Sequence, residues 1–332
     1  MSIVYSVIVP VYNEQEVIAK THTRLSAVLE SMNEPYELIF VNDGSSDNSA
    51  KIIADIIQQD KNVRLINFTR NFGHMPAITA GMEYAAGSAI IVIDADLQDP
   101  PEALPEMAAL WKSGYDVVYG KRKERKGEGV FKKLSAKIFY RFINSMSPVN
   151  LPADTGEFRL IDRKVCDAVN NLGEKHRYIR GLVSWVGFRQ IAYEYVRNER
   201  ELGVTKYTLK KMMSFAMDAI TSFSYKPLKL ATAIGFIISL ASFAYLVVVL
   251  WQGLFTDTTV EGWASIVALV LFTQGIVLMI LGLMGEYIGR IFEEIKNRPI
   301  YIVQEVLGYN ANQGHYDTVS NLKHEKICSG PT

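Results

Sequence analysis

Three observations in this 332-residue sequence predict an α/β fold on a mostly parallel sheet, followed by two transmembrane helices. Short apolar runs alternate with amphipathic stretches through the first two hundred residues, the pattern of strands covered by helices on both faces. Polar residues gather where those runs end. Further on, two long uncharged stretches lie at 230–251 and 263–285.

A hydrophobic content of 49% at this length suffices for a full core and two structural units. Lys plus Arg and Asp plus Glu balance at 35 each, so no global field draws the chain to nucleic acid. The two cysteines, Cys166 and Cys328, stand in no metal-type or redox-type spacing, which fits a reducing compartment and argues against zinc.

In chain order, the first strand is "SVIVPVY" and a helical pattern follows over 14–32. The opening residues carry neither a basic start nor a small-residue cleavage site, so the catalytic part is expected in the cytosol. "YELIFVND" precedes a helix over 47–59, "VRLINFT" one over 75–86, and "AIIVIDAD" one over 101–113, before "YDVVYG". Ligands of such sheets bind beyond the carboxyl ends of the strands. Tyr12-Asn13-Glu14, Asn42-Asp43-Gly44-Ser45, Arg70-Asn71 and Asp94-Ala95-Asp96 all fall there. Neither a G-x-G-x-x-G after the first strand nor a G-x-x-x-x-G-K-[ST] is present, which disfavours a dinucleotide oxidoreductase and a P-loop NTPase.

"DADLQDPPE" sets Asp94, Asp96 and Asp99 at one strand end. Aspartates flanking one small residue suit a divalent cation, Mg²⁺ or Mn²⁺, with one carboxylate and a sugar or ribose hydroxyl with the other. Taken alone such pairs are common in turns. Asp43 is placed to accept from a base N–H; its structural alternative, helix capping, is better filled by Asp47. His74 and His176 are isolated and suit packing or phosphate contact rather than metal ligation.

Beyond Gly120 the pattern changes. In "VFKKLSAKIFYRFINSM" an apolar stripe (Val130, Leu134, Ile138, Phe142) runs beside a basic one (Lys133, Lys137, Arg141), as in a helix lying on an anionic membrane surface. The alternative is a solvated helix packed on the sheet. A second interfacial candidate spans 209–223. The uncharged stretches that follow are each about the roughly 20 residues that cross a bilayer. Their link holds Asp257 and Glu261 but no Lys or Arg, whereas Lys226, Lys229, Arg290, Lys296 and Arg298 flank the pair, so both termini are expected in the cytosol. "RPIYIVQEVLGYN" alternates like a strand and suits pairing with a neighbour's sheet edge in a homo-oligomer. The polar tail from 313 carries no functional signal.

"VIVPVYNE", "VNDGSSDNS", "RNFGH", "DADLQDPPE", "DTGEFRLIDRKV", "RGLVSWVGF" and "GVTKY" together resemble the polyisoprenyl-phosphate glycosyltransferases of glycosyltransferase family 2, above all the bactoprenol glucosyltransferases, with dolichyl-phosphate mannose synthases as cousins. The resemblance implies a glycosyltransferase-A type, Rossmann-like fold and an inverting mechanism. By similarity, Pro10, Tyr12, Glu14 and Asp43 hold the nucleoside, Asp94 the donor, and Asp96 with Gln98 the metal. Arg122, Ser135, Arg200 and Lys206 match positions facing the acceptor phosphate, and cations beside an interfacial helix are what a lipid phosphate needs. Where the family pattern has Asp, this chain has Glu157. That residue is expected to act as a base, to position the acceptor or to repel a wrong one, with Asp154 as a rival. A phosphate monoester, with a second pKa of about 6, needs no base near pH 7.

The resulting expectation is transfer of a hexose, glucose from UDP-glucose first, to undecaprenyl phosphate at the cytosolic face of the plasma (inner) membrane. Alternatives are a polyprenyl-phosphate mannose or other-sugar synthase and, from another class, a non-enzymatic nucleotide-sugar-binding scaffold. A processive polysaccharide synthase is disfavoured, since no Q-x-x-R-W motif is present. Four regions are expected: nucleotide-sugar binding in 1–125, acceptor binding and membrane interface in 126–229, the two spans in 230–289, and a cytosolic extension in 290–332.

Overall fold

Strand β1 (Tyr5–Val11) is buried along its whole length, as are β2 (Tyr36–Asn42) and β4 (Ala89–Val92). A strand covered on both faces reads as a continuous apolar run rather than an alternating one. The structure is a computed structural model, and it describes residues 2–123, 155–196, 226–255 and 262–309. These divide into two compact units, one holding the residues up to 196 together with 298–309, the other holding 226–255 and 262–297.

The first unit is an eight-stranded sheet that adds β3 (Val63–Phe68), β5 (Val117–Arg122), β6 (Thr155–Asp162), β7 (Gln190–Tyr195) and β8 (Val303–Leu307) in the order β7-β5-β6-β4-β1-β2-β3-β8. Strands β4, β1, β2 and β3 run parallel, as do β5 and β7, while β6 and β8 are antiparallel to their neighbours. This is the glycosyltransferase-A type of α/β architecture, with its mostly parallel sheet.

Helix α1 (Ile18–Ser31) buries Ile18, Thr21, Leu25, Ser26 and Leu29, one stripe at helical spacing. It begins four residues later than the sequence pattern suggests. Asn13 adopts a left-handed φ of 54°, and a turn in which Val17 and Ile18 N–H donate to the Glu14 carbonyl precedes the helix. The start of α2 (Ser49–Gln59) is held by Asp47, whose Oδ1 accepts from Ser49 N at 2.9 Å. Helix α3 (His74–Tyr84) follows β3; a 3₁₀ turn at Pro101–Ala103 leads into α4 (Leu104–Lys112); and α5 (Arg163–Asn170) and α6 (Ile179–Trp185) lie between β6 and β7.

The strand expected to seek a neighbour's sheet edge pairs instead within its own chain, as β8 antiparallel to β3. Side chains hold it there. Tyr301 stacks on Phe68 at 5.0 Å and its hydroxyl donates to Glu83, while Asn67 Nδ2 donates to Glu305 Oε1 at 3.0 Å.

The second unit holds α7 (Lys226–Phe255) and α8 (Trp263–Lys296), which contact one another. Helix α8 ends where Asn297 takes the left-handed conformation, with Pro299 following. Of the two expected spans, one stretch among the described residues, Phe272–Lys296 with mean hydropathy 1.6, is long and apolar enough to cross a membrane. Ala231–Tyr245 forms a shorter apolar stretch within α7.

Candidate functional site

The strand order switches between the parallel neighbours β1 and β4: β1 leads through α1 to β2 on one side, while β4 lies on the other. Such a switch point opens a crevice at the carboxyl ends of the strands. Two loops line one wall. Asn13 N–H donates to Ser45 Oγ at 2.9 Å, and Ser46 N–H returns to Asn13 Oδ1 at 2.8 Å. Beneath them Asn42 Nδ2 donates to Asn67 Oδ1 at 2.6 Å, so a line of hydrogen bonds runs from Glu305 on β8 through Asn67, Asn42 and Ser45 to Asn13.

Of the residues assigned to the nucleoside, Pro10 lies buried within β1, Tyr12 is exposed just beyond it, and Glu14 is half-buried in the following turn. Asp43 is buried and already engaged. Its Oδ1 accepts from Phe72 N at 2.7 Å and its Oδ2 from Gly73 N at 2.9 Å, which fastens the loop carrying Arg70 to the end of β2. Burial pushes its carboxyl pKa up, against the opposing pull of those amides, His74 and Arg70. Gly44 lets the two loops meet: at φ +62°, a Cβ there would stand 2.3 Å from the Arg70 backbone carbonyl carbon.

The opposite wall is the segment after β4. Asp94 keeps 30% of its side chain accessible and has His74 Nε2 3.5 Å from its Oδ1. Burial raises its pKa; His74 opposes that, and the charges of Asp99, Asp96 and Glu157 add to it. Asp96 Oδ1 accepts from Gln98 N at 3.2 Å across Leu97, a buried residue in the left-handed region at φ 55°. That conformation costs a leucine roughly 1–2 kcal/mol, and burying its side chain offsets the cost. Asp94 and Asp96 thus stay partly open to the crevice while Asp99 turns fully into the interior, where Tyr195 Oη donates to it. Among the described residues no three His, Cys, Asp or Glu side chains converge as a metal cluster. The donor set nonetheless suits a hard cation: the Asp94 and Asp96 carboxylates and the Gln98 amide offer oxygen donors, and the Asp94 carboxylate, whose ionisation is opposed by burial and by the neighbouring carboxylates, calls for positive charge.

Strand β6 brings the last group. Between β5 and β6 the register slips, so that Gly156, Glu157 and Phe158 stand opposite the single residue Gly120. Bulges of this kind re-aim side chains beside sites. Glu157 is 6% exposed and meets two guanidiniums, Arg180 Nε at 2.6 Å and Arg159 Nη2 at 3.4 Å. Burial pushes its pKa up, but Arg159 and Arg180 outweigh this and hold it below the usual carboxylate range. A carboxylate so held is a weak base and a firm anchor. Arg122, at the end of β5, is the acceptor candidate that lies within the described residues; Ser135, Arg200, Lys206, Asp154 and both interfacial helix candidates lie outside them. His74 reaches the site beside Asp94, and His176 is exposed.

Sequence reasoning did not assign Arg159, Arg180 or Tyr195 a role. "RGLVSW" and "DTGEFRL" contain the two arginines, but nothing in their spacing says that both turn toward Glu157.

Residues 6–169 match Glycosyl transferase family 2, and residues 226–291 match the GtrB C-terminal hairpin. The uncharacterized glycosyltransferase YkcC of Bacillus subtilis is 56% identical over 92% of this chain and 94% of its own. The SfII prophage-derived bactoprenol glucosyl transferase of Shigella flexneri is 39% identical, covering 90% of this chain and 97% of its own. The prophage bactoprenol glucosyl transferase homolog of Escherichia coli K12 is 38% identical, covering 91% and 98%.

Proposed function

This chain belongs to glycosyl transferase family 2, among the polyisoprenyl-phosphate glucosyltransferases, and from that premise we propose that it transfers glucose from UDP-glucose to undecaprenyl phosphate at the cytosolic membrane face. The observation that carries the reading is the switch-point crevice, with Asp94 and Asp96 on one wall and the interlocked Asn13 and Asp43 loops on the other. It offers a cation site and a nucleotide site at adjoining strand ends. Pro10, Tyr12, Glu14 and Asp43 bound the nucleoside, and Asp94 faces the sugar.

Asp96 and Gln98 would hold Mg²⁺ or Mn²⁺, which supplies positive charge to the departing nucleoside diphosphate. Arg122, with Ser135, Arg200 and Lys206, binds the lipid phosphate. One of its oxygens attacks the anomeric carbon, the bond to the diphosphate oxygen breaks, and the configuration inverts. The nucleophile is already ionised near pH 7, so no side chain has to remove a proton. Glu157 therefore serves as the anchor of Arg159 and Arg180 rather than as a base, a role supported by its lowered pKa.

Helices α7 and α8 supply a two-span hairpin, with both termini on the cytosolic side of the plasma membrane. The match to a C-terminal hairpin and the exposed apolar side chains of Phe236, Leu240, Phe272 and Leu278 support this. Region 1–125 then binds donor, 126–229 binds acceptor at the interface, 230–289 spans, and 290–332 returns to the cytosol.

The test incubates purified protein in detergent with undecaprenyl phosphate, Mg²⁺ or Mn²⁺, and radiolabelled UDP-glucose, UDP-GlcNAc or GDP-mannose. Label entering the organic phase from UDP-glucose, and lost with EDTA, is expected. Transfer from GDP-mannose instead would make the chain a mannose synthase. Nucleotide-sugar binding without transfer from any donor would favour a scaffold.

A further inference from the structure

The carboxylate of Asp99 belongs to the same short segment as Asp94 and Asp96, yet it is fully buried whereas theirs stay partly open. It accepts a hydrogen bond from Tyr195 Oη, 96 residues along the chain. Tyr195 ends β7 directly beside Arg122 in the parallel register of β5 and β7. Its ring stands edge-on to Phe158 at 5.5 Å, so the hydroxyl is aimed rather than free to swing. On the far side, the Arg122 guanidinium occupies space that any side chain at 156 would need. A Cβ on Gly156 would stand 2.7 Å from Arg122 Nη2.

We propose that Asp99 and Tyr195 are positioning residues that hold the Arg122 guanidinium ready for the acceptor's phosphate. The proposal rests on the reading of Arg122 as an acceptor contact. Burial alone would lower the arginine's pKa, but the neighbouring Tyr195 hydroxyl and the charges of Asp99 and Asp94 more than offset this and keep it cationic. Arg122 is only half-buried, so its guanidinium can still meet an incoming phosphate oxygen. A long side chain fixed in advance has less entropy to lose on binding. Because Asp99 lies in the turn that also carries Asp96 and Gln98, the acceptor arginine is tied to the backbone that shapes the donor side.

The experiment measures equilibrium binding of undecaprenyl phosphate in detergent micelles to the full-length chain by calorimetry, with UDP and Mg²⁺ titrated in parallel. It compares Tyr195→Phe, Asp99→Asn, Arg122→Ala and the Tyr195→Phe/Arg122→Ala pair. Tyr195→Phe and Asp99→Asn should each weaken lipid-phosphate binding about tenfold, the scale of ordering one long side chain, and leave UDP binding unchanged. The double variant should bind no worse than Arg122→Ala alone. Wild-type lipid binding by both Tyr195→Phe and Asp99→Asn, with Arg122→Ala weakened, would overturn the positioning role. Equal weakening toward UDP and lipid would do the same, by showing a general structural role. Unchanged binding by Arg122→Ala would remove the acceptor reading of that residue, and the inference with it.

Discussion

Replacing Glu157 with Gln separates an anchor from a base. The carboxylate is 6% exposed, Arg159 is 4% exposed and Arg180 is 23% exposed, so the substitution removes a negative partner shared by two guanidiniums in a largely dry setting. Breaking a buried ion pair from one side costs about 3–5 kcal/mol. Gln retains a neutral acceptor, and the arginines keep carbonyl contacts at Thr155 and Gly156, so about 2–3 kcal/mol is expected here. For a unit of this size that is a fall in Tm of roughly 5–10 °C, read by thermal unfolding in detergent. Since the native pKa lies below the unfolded value, the carboxylate's contribution is present above about pH 4.3 and is lost as pH falls through the native pKa. Wild-type and Glu157→Gln melting temperatures should therefore converge in acid. A general base would behave otherwise, losing roughly 10²–10⁴ in kcat with an unchanged Tm. That second pattern would refute the anchoring argument.

Asp94→Asn should abolish transfer yet raise the Tm measured without divalent cation, because ionising Asp94 in the fold is opposed by burial and by Asp99, Asp96 and Glu157; a lower Tm would contradict this. Its raised pKa places that cost above about pH 3.9, growing until the native group has ionised. Asp96→Asn should leave membrane insertion intact and turnover absent at any Mn²⁺ concentration, and metal-dependent turnover at the normal rate would remove Asp96 from the mechanism. Gly44→Ala, which forces a Cβ toward the Arg70 backbone at positive φ, should cost more than ~1 kcal/mol and raise KM for nucleotide sugar several-fold, as checked by melting and initial rates. Asn67→Ala strands the buried Asn42 amide at a cost of about 1–3 kcal/mol and should raise KM for the donor more than for the lipid.

The sequence by itself determined what is local. Apolar runs such as "YSVIVPV" and "YELIFVN" are long enough to be strands and too continuous to be half-exposed ones, and the helices between them carry their own stripes. Strand ends could be marked because a charge such as Asp94 cannot continue a buried run. The element starts that misled, such as that of α1, depend on left-handed turns that apolar periodicity does not encode.

Only the tertiary structure decided which of three neighbouring carboxylates turns inward. Asp99 does so because a tyrosine 96 residues away supplies its donor. It also paired Glu157 with Arg180 through a bulge, and set Glu305 on Asn67 across 238 residues. Charges with no partner nearby in sequence read alike whether they line a crevice or brace it. What distinguishes them is the cost of burying a polar group, and that cost is met by partners the chain supplies only once it has folded.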